Sequence, residues 1–297
     1  MEEIPELLLQ LLQKQYTEKE VNKILEGYQT KRETTLRVNT LKATVEEIKQ
    51  ILQSKKIEFE QMPWYPEAFA LRNIQETEIE KWEIYEQGKI YLQSLSSMLP
   101  VLLLEPKKNV DILDMAAAPG GKTTQLAALT QNTANITACE MNKMRAERLK
   151  YNIEKQGASS VYVMVTDSRK LDSYFSFDQI LLDAPCSGSG TITVGERRKF
   201  TKEWLEKINH TQFTLLQKAI SLLKPGGTMV YSTCSILSCE NEEIVKKVLK
   251  LGKVKLEPLP IENLPIPQLP TKLSGTITIC PNNLWEGFFV ATLRKLK

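Results

Sequence analysis

The strongest constraint on the fold is a repeated pattern that begins near Val110. A short apolar run is followed by a turn and then by an amphipathic helical stretch, and this unit recurs along the chain. Five of the apolar runs are strand candidates: VDILDM (110–115), NITACE (135–140), SVYVMV (160–165), DQILLD (178–183) and TMVYST (228–233). Strands that are buried on both faces and alternate with helices are typical of parallel sheets. The pattern predicts the α/β class, with a mostly parallel, doubly wound, Rossmann-like sheet.

The two ends of the chain depart from this pattern. The first ninety residues combine helical apolar spacing with short extended stretches, LRVN (36–39), IEFE (57–60) and AFAL (68–71). We therefore predict a small α+β domain over residues 1–92 and the parallel-sheet domain over residues 93–297. Near the other end, the proline-rich segment 256–270 is expected to be a long loop. The segments TITIC (276–280) and GFFVATL (287–293) are expected to add antiparallel strands at one sheet edge.

Composition narrows the class of protein. A chain of 297 residues with 42% hydrophobic side chains can bury a substantial core. It contains no run of eighteen or more apolar residues, and its start is acidic where a signal peptide is positive. We expect a cytoplasmic protein with no membrane association. The cysteines are too few and scattered for a disulfide framework, and His210, the only histidine, has no metal-like companion, so no metal site is expected. The cysteines are Cys139, Cys186, Cys234, Cys239 and Cys280.

The charge alone does not identify a nucleic-acid binder, because the net value is only +3. Basic clusters suited to a phosphate backbone do occur, although a solvated helix face explains any one of them better. They are Lys31-Arg32, Lys55-Lys56, Lys143/Arg145/Arg148/Lys150 and Arg197-Arg198-Lys199 with Lys202.

The residues that follow each predicted strand are the first place to look for a ligand site, because open α/β sheets bind ligands beyond the carboxyl ends of their strands. After the first strand comes AAAPGGKTTQLAAL, whose small residues permit a tight turn before a helix begins near Lys122. The small residues are Ala116, Ala117, Ala118, Gly120 and Gly121.

Acidic residues close the next three strands. Glu140 lies 20 positions after Gly120, where its carboxylate can accept hydrogen bonds from ribose hydroxyls. Asp167 can similarly accept from an adenine amino group, and Asp183 ends the fourth strand. Helix capping explains each acid taken alone, but three in succession favour a nucleoside cofactor.

Two other cofactor classes compete with this interpretation. AAAPGGKT resembles a Walker A loop and ILLD (180–183) a Walker B strand, so an NTPase is an alternative. However, alanine replaces the first Walker A glycine, Pro119 removes a backbone N–H donor, and Glu140 would have no task. A nicotinamide dehydrogenase is the other alternative, but the G-x-G-x-x-G motif is absent.

Two cysteines stand at the carboxyl ends of strands. Cys186 lies in DAPCSGSG (183–190), and Cys234 lies in YSTCS (231–235), shortly before ENEE (240–243). If the fourth and fifth strands are neighbours, both thiols face the cofactor crevice. A buried, inert thiol is the usual case and is expected for Cys139 and Cys280.

Several linked motifs occur in one order and carry a family resemblance. They are LRVNTLK (36–42), GKIYLQSLSS (88–97), DMAAAPGGKT (114–123), DAPCSGSG, YSTCS with ENEE, and GFFVATLRK (287–295). From about Leu36 to its end, the chain resembles the Nop/Sun family of S-adenosylmethionine-dependent RNA cytosine-5 methyltransferases.

The resemblance implies a cofactor, a substrate and a set of site residues. S-adenosylmethionine is the implied methyl donor and RNA the implied partner; ribosomal RNA is our first expectation and transfer RNA our second. The predicted cofactor-binding residues are Ala116, Ala117, Ala118, Pro119, Gly120, Gly121, Lys122, Glu140, Arg145, Asp167 and Asp183. We further expect a monomer without an obligate protein partner. A non-catalytic RNA-binding assembly factor is a third hypothesis, disfavoured because both cysteines and all the pocket acids are present.

The resemblance also implies a covalent mechanism. Carbon 5 of cytosine is a poor nucleophile, and a thiolate added to carbon 6 activates it. By similarity Cys234 is this nucleophile, Cys186 helps product release, and Asp183 stabilises the charge that shifts onto the ring. The target base must be single-stranded or flipped out of its stack.

Three departures from the family pattern concern individual residues. Ala116 stands where many members have cysteine, and Asn282 lies where relatives often have Pro-His. The segment ITVGERRKF (192–200) replaces a basic run followed by Asn-Pro-Asp. Within it we nominate Arg197, Arg198 and Lys199 as RNA contacts on the basis of their charge.

Overall fold

The computed structural model describes residues 4–193, 200–259 and 265–297. The first part of the chain forms a four-stranded antiparallel sheet with the order β2-β3-β1-β4. Its strands are β1 (Thr34–Val38), β2 (Phe59–Gln61), β3 (Ala68–Leu71) and β4 (Ile90–Leu92). The helices of this part are α1 (Glu6–Gln15), α2 (Glu18–Gln29), α3 (Val45–Ser54), α4 (Glu76–Ile79) and α5 (Glu83–Glu86).

The second part forms a nine-stranded sheet with the order β11-β12-β13-β9-β8-β5-β6-β7, and β10 also pairs with β13. Its strands are β5 (Asp111–Asp114), β6 (Asn135–Cys139), β7 (Val161–Met164), β8 (Phe177–Asp183), β9 (Leu223–Thr233), β10 (Val254–Glu257), β11 (Gln268–Leu269), β12 (Ile277–Ile279) and β13 (Phe288–Lys295). The helices are α6 (Leu95–Leu104), α7 (Gly121–Leu129), α8 (Lys143–Gln156), α9 (Lys202–Leu222) and α10 (Glu242–Leu249). Strands β5 to β9 pair in parallel and β13 joins β9 antiparallel, which confirms the predicted α/β class.

Alternation along the central strands explains the layers on the two sides of this sheet. In β8, Leu181 packs in the apolar cluster that includes α6 and α7, whereas Ile180 and Leu182 pack in the cluster that includes α9 and α10. All three side chains are fully buried, and each such burial contributes roughly 1.5–3 kcal/mol. Because both faces of β8 are covered, the strand is apolar at consecutive positions, as the sequence showed.

The prediction of one long loop over residues 256–270 is wrong at both of its ends. Leu256 and Glu257 belong to β10 and pair with Leu293 and Thr292 of β13, and β11 pairs with β12. Strand β13 is eight residues long and pairs with β12 over its first half and with β10 over its second. The backbone groups on that side of β13 need partners, and satisfying them prevails over the proline-rich composition. The three-residue strand β4 was also missed.

Helices α1 and α2 pack against the second part of the chain. Their side chains Leu12 and Ile24 share an apolar cluster with Leu205 and Ile236. In addition, the Tyr16 hydroxyl donates a hydrogen bond of 2.7 Å to the Ile236 carbonyl. We still propose two domains, residues 1–92 and residues 93–297. The contacts of α1 and α2 join the first domain to the second.

A buried arginine joins the small sheet to the helix that follows β5. The Arg37 side chain is fully buried, and its Nε donates to Gln93 Oε1 at 3.1 Å. Its Nη2 donates to Thr124 Oγ1 at 3.1 Å and to the Gly121 carbonyl at 3.4 Å. Burial lowers the pKa of Arg37. The guanidinium thereby holds β1 against the first turn of α7, where the predicted cofactor segment ends.

Candidate active site

A cavity of about 250 Å³ opens at the carboxyl ends of the parallel strands, where ligands of open α/β sheets bind. Residues that follow β5, β6, β7, β8 and β9 line it together with two residues of α9. The lining consists of Met115, Ala116, Ala118, Glu140, Met141, Arg145, Thr166, Asp167, Ser168, Arg169, Asp183, Ala184, Pro185, Cys186, Thr211, Leu215 and Cys234. The structure therefore brings together residues that are up to 119 positions apart in the chain.

The predicted cofactor residues divide into two groups. Six of them line the cavity: Ala116, Ala118, Glu140, Arg145, Asp167 and Asp183. The others form the turn behind it and the start of α7: Ala117, Pro119, Gly120, Gly121 and Lys122. Gly120 has a φ of +112°, and a Cβ atom there would lie 3.1 Å from a methyl carbon of Leu149. Only glycine suits this backbone conformation, so the turn requires it.

Glu140 is held in place at the end of β6. One carboxylate oxygen accepts a hydrogen bond of 2.9 Å from the Asn142 backbone, and the other lies 3.4 Å from Arg145 Nη1. Arg145 also donates to the Ala118 carbonyl at 2.9 Å. Because Arg145 is largely exposed, its ion pair adds little stability. Through these two contacts Arg145 connects the acid to the small-residue loop at the cavity wall.

Asp167 has a partner that the sequence analysis did not single out. Arg169 donates to both carboxylate oxygens of Asp167, with distances from 2.7 to 3.1 Å, and itself lines the cavity. These hydrogen bonds lower the pKa of Asp167. The paired carboxylate is therefore a fixed acceptor in this part of the cavity. The sequence signal for this pair was an arginine two positions after the acid that follows the third predicted strand.

Lys122 and Asp183 form an ion pair beside the cavity. Lys122 Nζ lies 2.8 Å from Asp183 Oδ2 and donates to Ser97 Oγ at 2.6 Å. The other carboxylate oxygen accepts from Ser232 Oγ at 2.7 Å. Burial by itself lowers the pKa of Lys122, but the negative charges near it, above all Asp183, outweigh burial, and the pKa is raised. The ammonium thus stays charged and fixes the direction of the Asp183 carboxylate.

Asp114 is a fully buried acid behind this pair, at the end of β5. Burial raises its pKa from 3.8 to about 6, although Thr123 Oγ1 donates a hydrogen bond of 2.7 Å to it. A carboxyl whose pKa is higher in the folded than in the unfolded chain binds its proton more tightly when folded. Its contribution to stability is complete below pH 3.8 and is lost as the pH rises through about 6.

We therefore expect Asp114→Asn to flatten the pH dependence of stability. Between pH 4 and pH 7, the difference in unfolding free energy between the variant and the wild type should change in favour of the variant by about 2–3 kcal/mol. Denaturant unfolding at several pH values measures this. Asp172→Asn is the control, because Asp172 is exposed and only caps a surface turn. A difference between Asp114→Asn and the wild type that stayed constant across this range would contradict the prediction.

The two strand-end cysteines meet in the cavity. Strands β8 and β9 are parallel neighbours in which Asp183 pairs with Ser232, and Cys186 Sγ lies 3.2 Å from Cys234 Sγ. The hydrogen bond to Cys234, burial and the negative charge of Cys234 together raise the pKa of Cys186 well above its ordinary value. Cys186 is therefore less readily ionised than an ordinary thiol.

The remaining predicted residues have varied positions. Cys139 and Cys280 are free and buried, and burial raises their pKa values to about 12 and about 11. Asn282 caps a turn, because its side-chain oxygen accepts from the backbone of Leu284 and Trp285 at 2.8 Å. The nominated RNA contacts Arg197, Arg198 and Lys199 lie outside the described residues.

This sheet order, with a crevice at the carboxyl ends of the parallel strands, defines a Rossmann-like class I methyltransferase fold. A family model described as 16S rRNA methyltransferase RsmB/F matches residues 101–294, and an RsmF/B-like ferredoxin-like domain model matches residues 4–78. The chain belongs to the RsmB/F methyltransferase family. Within the described ranges, no helix has both the length and the apolar character that a membrane span requires.

Named relatives and solved structures agree with this assignment. The chain is 39% identical over 273 residues to ribosomal RNA small subunit methyltransferase F of Aliivibrio fischeri, covering 88% of this chain and 57% of that protein. It is 39% identical over 277 residues to the tRNA (cytosine(49)-C(5))-methyltransferase of Pyrococcus abyssi, covering 88% of each. The crystal structure of NSun6 from Pyrococcus horikoshii with SFG superposes with a TM-score of 0.89 at 26% identity, covering 100% of this chain and 99% of that one. The chain thus spans little more than half of the Aliivibrio protein but most of both Pyrococcus proteins.

Proposed function

We propose that this protein transfers a methyl group from S-adenosylmethionine to carbon 5 of a cytosine in RNA. The observation that carries the proposal is the pair of thiols 3.2 Å apart, which faces the same cavity as the acids that follow β6 and β7. An NTPase needs no such pair. The named relatives, which are RNA methyltransferases, support the same reaction.

The residues present suit a nucleoside cofactor. The cavity combines apolar walls from Met115 and Met141 with two fixed carboxylates, Glu140 and Asp167. Such walls suit a base, and carboxylates accept hydrogen bonds from ribose hydroxyls and an amino group. The SFG in the Pyrococcus structure is an analogue of S-adenosylmethionine. When bound, S-adenosylmethionine supplies an electrophilic methyl group.

The chain's own residues would carry out the steps on the base. Cys234 adds through its thiolate to carbon 6, which forms a carbon–sulfur bond and makes carbon 5 nucleophilic. Asp183, held by Lys122, stabilises the charge shift on the ring. After carbon 5 has gained the methyl group, a base takes its proton, the carbon–sulfur bond breaks, and Cys234 leaves as thiolate. Cys186 assists this release from 3.2 Å away.

Ribosomal RNA is the proposed substrate, and transfer RNA is the second candidate because the tRNA enzyme of Pyrococcus abyssi is matched over 88% of its length. Mapping 5-methylcytosine in both RNA classes, from cells with and without the gene, tests the function. Loss of a site in one class identifies the substrate. No difference in either class, with purified enzyme also inactive on both, would refute the proposal. We also propose that the protein is a monomer and that it is cytoplasmic. Its proposed RNA contacts include Arg197, Arg198 and Lys199.

Glu140→Ala tests the cofactor part of the proposal. The variant should bind S-adenosylmethionine and S-adenosylhomocysteine more weakly by roughly 1.5–3 kcal/mol, because it loses a charge-assisted hydrogen bond to ribose. Isothermal calorimetry measures the change. Glu147→Ala is the matched control, since Glu147 is exposed on α8 and, among the described residues, forms an ion pair only with Lys150. Tight binding of magnesium-ATP by the wild type, without any response to S-adenosylmethionine, would instead support the NTPase alternative.

A further inference from the structure

Glu240 is a buried acid that the proposed mechanism does not use. It lies two residues before α10, its side chain is fully buried, and its carboxylate accepts four hydrogen bonds. Two come from the loop that carries Cys186: the Ser187 backbone N–H at 2.7 Å and the Ser187 hydroxyl at 2.5 Å. Glu240 thus contacts the residue next to one of the two active-site cysteines.

The same carboxylate contacts the residue next to the other cysteine. The Ser235 hydroxyl donates to Glu240 Oε2 at 2.5 Å, so one oxygen accepts from both loops. The fourth donor is Gln212 of α9, at 3.3 Å from Oε1, and Gln212 also donates to the Pro185 carbonyl at 3.0 Å. Together with the bond from Gln212 to Pro185, the four bonds connect Pro185-Cys186-Ser187 to Cys234-Ser235.

This arrangement controls a distance that matters chemically. Each thiol has the other as its sulfur partner, so the 3.2 Å between them depends on where the two loops lie. The loops follow neighbouring strands, and Glu240 is a shared acceptor for both beyond the strand ends. Burying a carboxylate is costly, and here its hydrogen bonds go to the two cysteine loops and their supporting helix.

We propose that Glu240 is a positioning residue whose carboxylate clamps the Cys186 and Cys234 loops together and so keeps the two sulfur atoms in contact. The consequence for catalysis rests on the proposed function. If Cys186 assists release of Cys234 from the methylated base, separating the sulfurs slows release more than attack. The clamp itself does not depend on that function and can be measured directly.

The first experiment tests, without RNA, whether the two thiols stay adjacent. Phenylarsine oxide condenses with two adjacent thiols, forming two arsenic–sulfur bonds and releasing water, and its capture by the purified full chain is followed by mass spectrometry. Cys186→Ser sets the baseline, because it removes one thiol. Glu240→Ala should slow capture about tenfold or more, since it removes charge-assisted hydrogen bonds from both loops. Glu243→Gln is the matched control, because Glu243 is exposed and hydrogen-bonds only to Ser238 among the described contacts.

Glu240→Gln separates positioning from a general structural role. Its amide oxygen still accepts from the Ser187 N–H, and its amino group can donate to the two serine hydroxyls, which are both donors and acceptors. Capture by Glu240→Gln should therefore stay within about threefold of the wild type, a difference smaller than one lost hydrogen bond produces. If both variants were slowed equally, in proportion to a fall in melting temperature, the role would be structural only and the proposal wrong. Wild-type capture by a folded Glu240→Ala would overturn it as well.

If Glu240→Ala does not fold, Ser235→Ala takes its place, because it leaves the carboxylate and removes the Ser235 hydroxyl, which bonds to Glu240 as well as to the Ser189 hydroxyl and the Leu237 N–H. Capture should then slow about fivefold or more, since each lost buried hydrogen bond accounts for about fivefold. Unchanged capture would overturn the clamp.

The second experiment adds labelled RNA and S-adenosylmethionine and follows covalent enzyme–RNA complex on a denaturing gel. Glu240→Ala should hold a larger fraction of RNA in this complex than the wild type, since release is impaired more than attack. A smaller fraction in that variant would contradict the catalytic consequence. If the wild type captured the arsenical but methylated no RNA, the proposed function would be refuted. The proposal that Glu240 holds the two loops together would not be affected.

Discussion

Cys234→Ala should form no covalent complex with RNA under any condition, whereas Cys186→Ala should accumulate one. The first variant lacks the thiolate that adds to carbon 6. The second keeps that thiolate and the ion pair of Lys122 with Asp183, so attack and methyl transfer proceed. It loses the thiol that lies 3.2 Å from Cys234, and elimination of the methylated base slows.

The family resemblance gives this prediction its direction, and the electrostatics of Cys186 agree with it. The pKa of Cys186 is raised well above its ordinary value by the hydrogen bond to Cys234, by burial and by the charge of Cys234. Because thiolates and not thiols are nucleophiles, the sulfur that keeps its proton is the poorer attacking group. Geometry alone does not distinguish the two, since both thiols line the cavity.

A denaturing gel with labelled RNA and S-adenosylmethionine shows the complex as a retarded band. Cys239→Ala is the control, because Cys239 is a free thiol outside the cavity lining and its variant should behave as the wild type does. If Cys234→Ala gave a band and Cys186→Ala gave none, the two cysteines would have the opposite roles. If Cys234→Ala still methylated RNA, the covalent mechanism would be refuted.

Asp183→Asn should lower the turnover number by about 10²–10³, the range observed when one preorganised electrostatic group is removed from an active site. The amide cannot carry the negative charge that balances Lys122 at 2.8 Å, and it stabilises the charge shift on the ring poorly. Lys122→Met should act in the same direction, because Asp183 then loses the cation that orients it.

These two variants should differ in their effect on cofactor binding. Asp183 lines the cavity and Lys122 lies beside it, so Lys122→Met should reduce turnover but weaken the affinity for S-adenosylmethionine less than Asp183→Asn does. Single-turnover methylation and calorimetry measure the two quantities separately. Lys150→Met, which removes only an exposed ion pair on α8, is the control. Normal turnover in Lys122→Met would show that the ion pair is not needed for the reaction.

The central sheet and the place of the site could be predicted from the sequence because they depend on local patterns. Consecutive apolar residues in β8 indicated a strand buried on both faces, and glycines before Lys122 indicated the turn that opens α7. Cys186 and Cys234 each follow a strand, which predicted that both thiols face one crevice if the two strands are neighbours. The structure shows that these strands, β8 and β9, are neighbours. Residue order and periodicity along a few residues carry this information.

The contacts that hold the site together were decided only by the tertiary structure. Arg37 reaches the start of α7 from 84 positions away, and Glu240 joins two loops by accepting from Ser187, 53 positions earlier, and from Ser235. Strands β10 and β11 formed inside a proline-rich stretch because partner strands supplied hydrogen bonds. Such choices depend on which buried polar groups need hydrogen-bond partners in the folded chain, and the partners of Arg37 and the Ser187 partner of Glu240 lie more than fifty positions away.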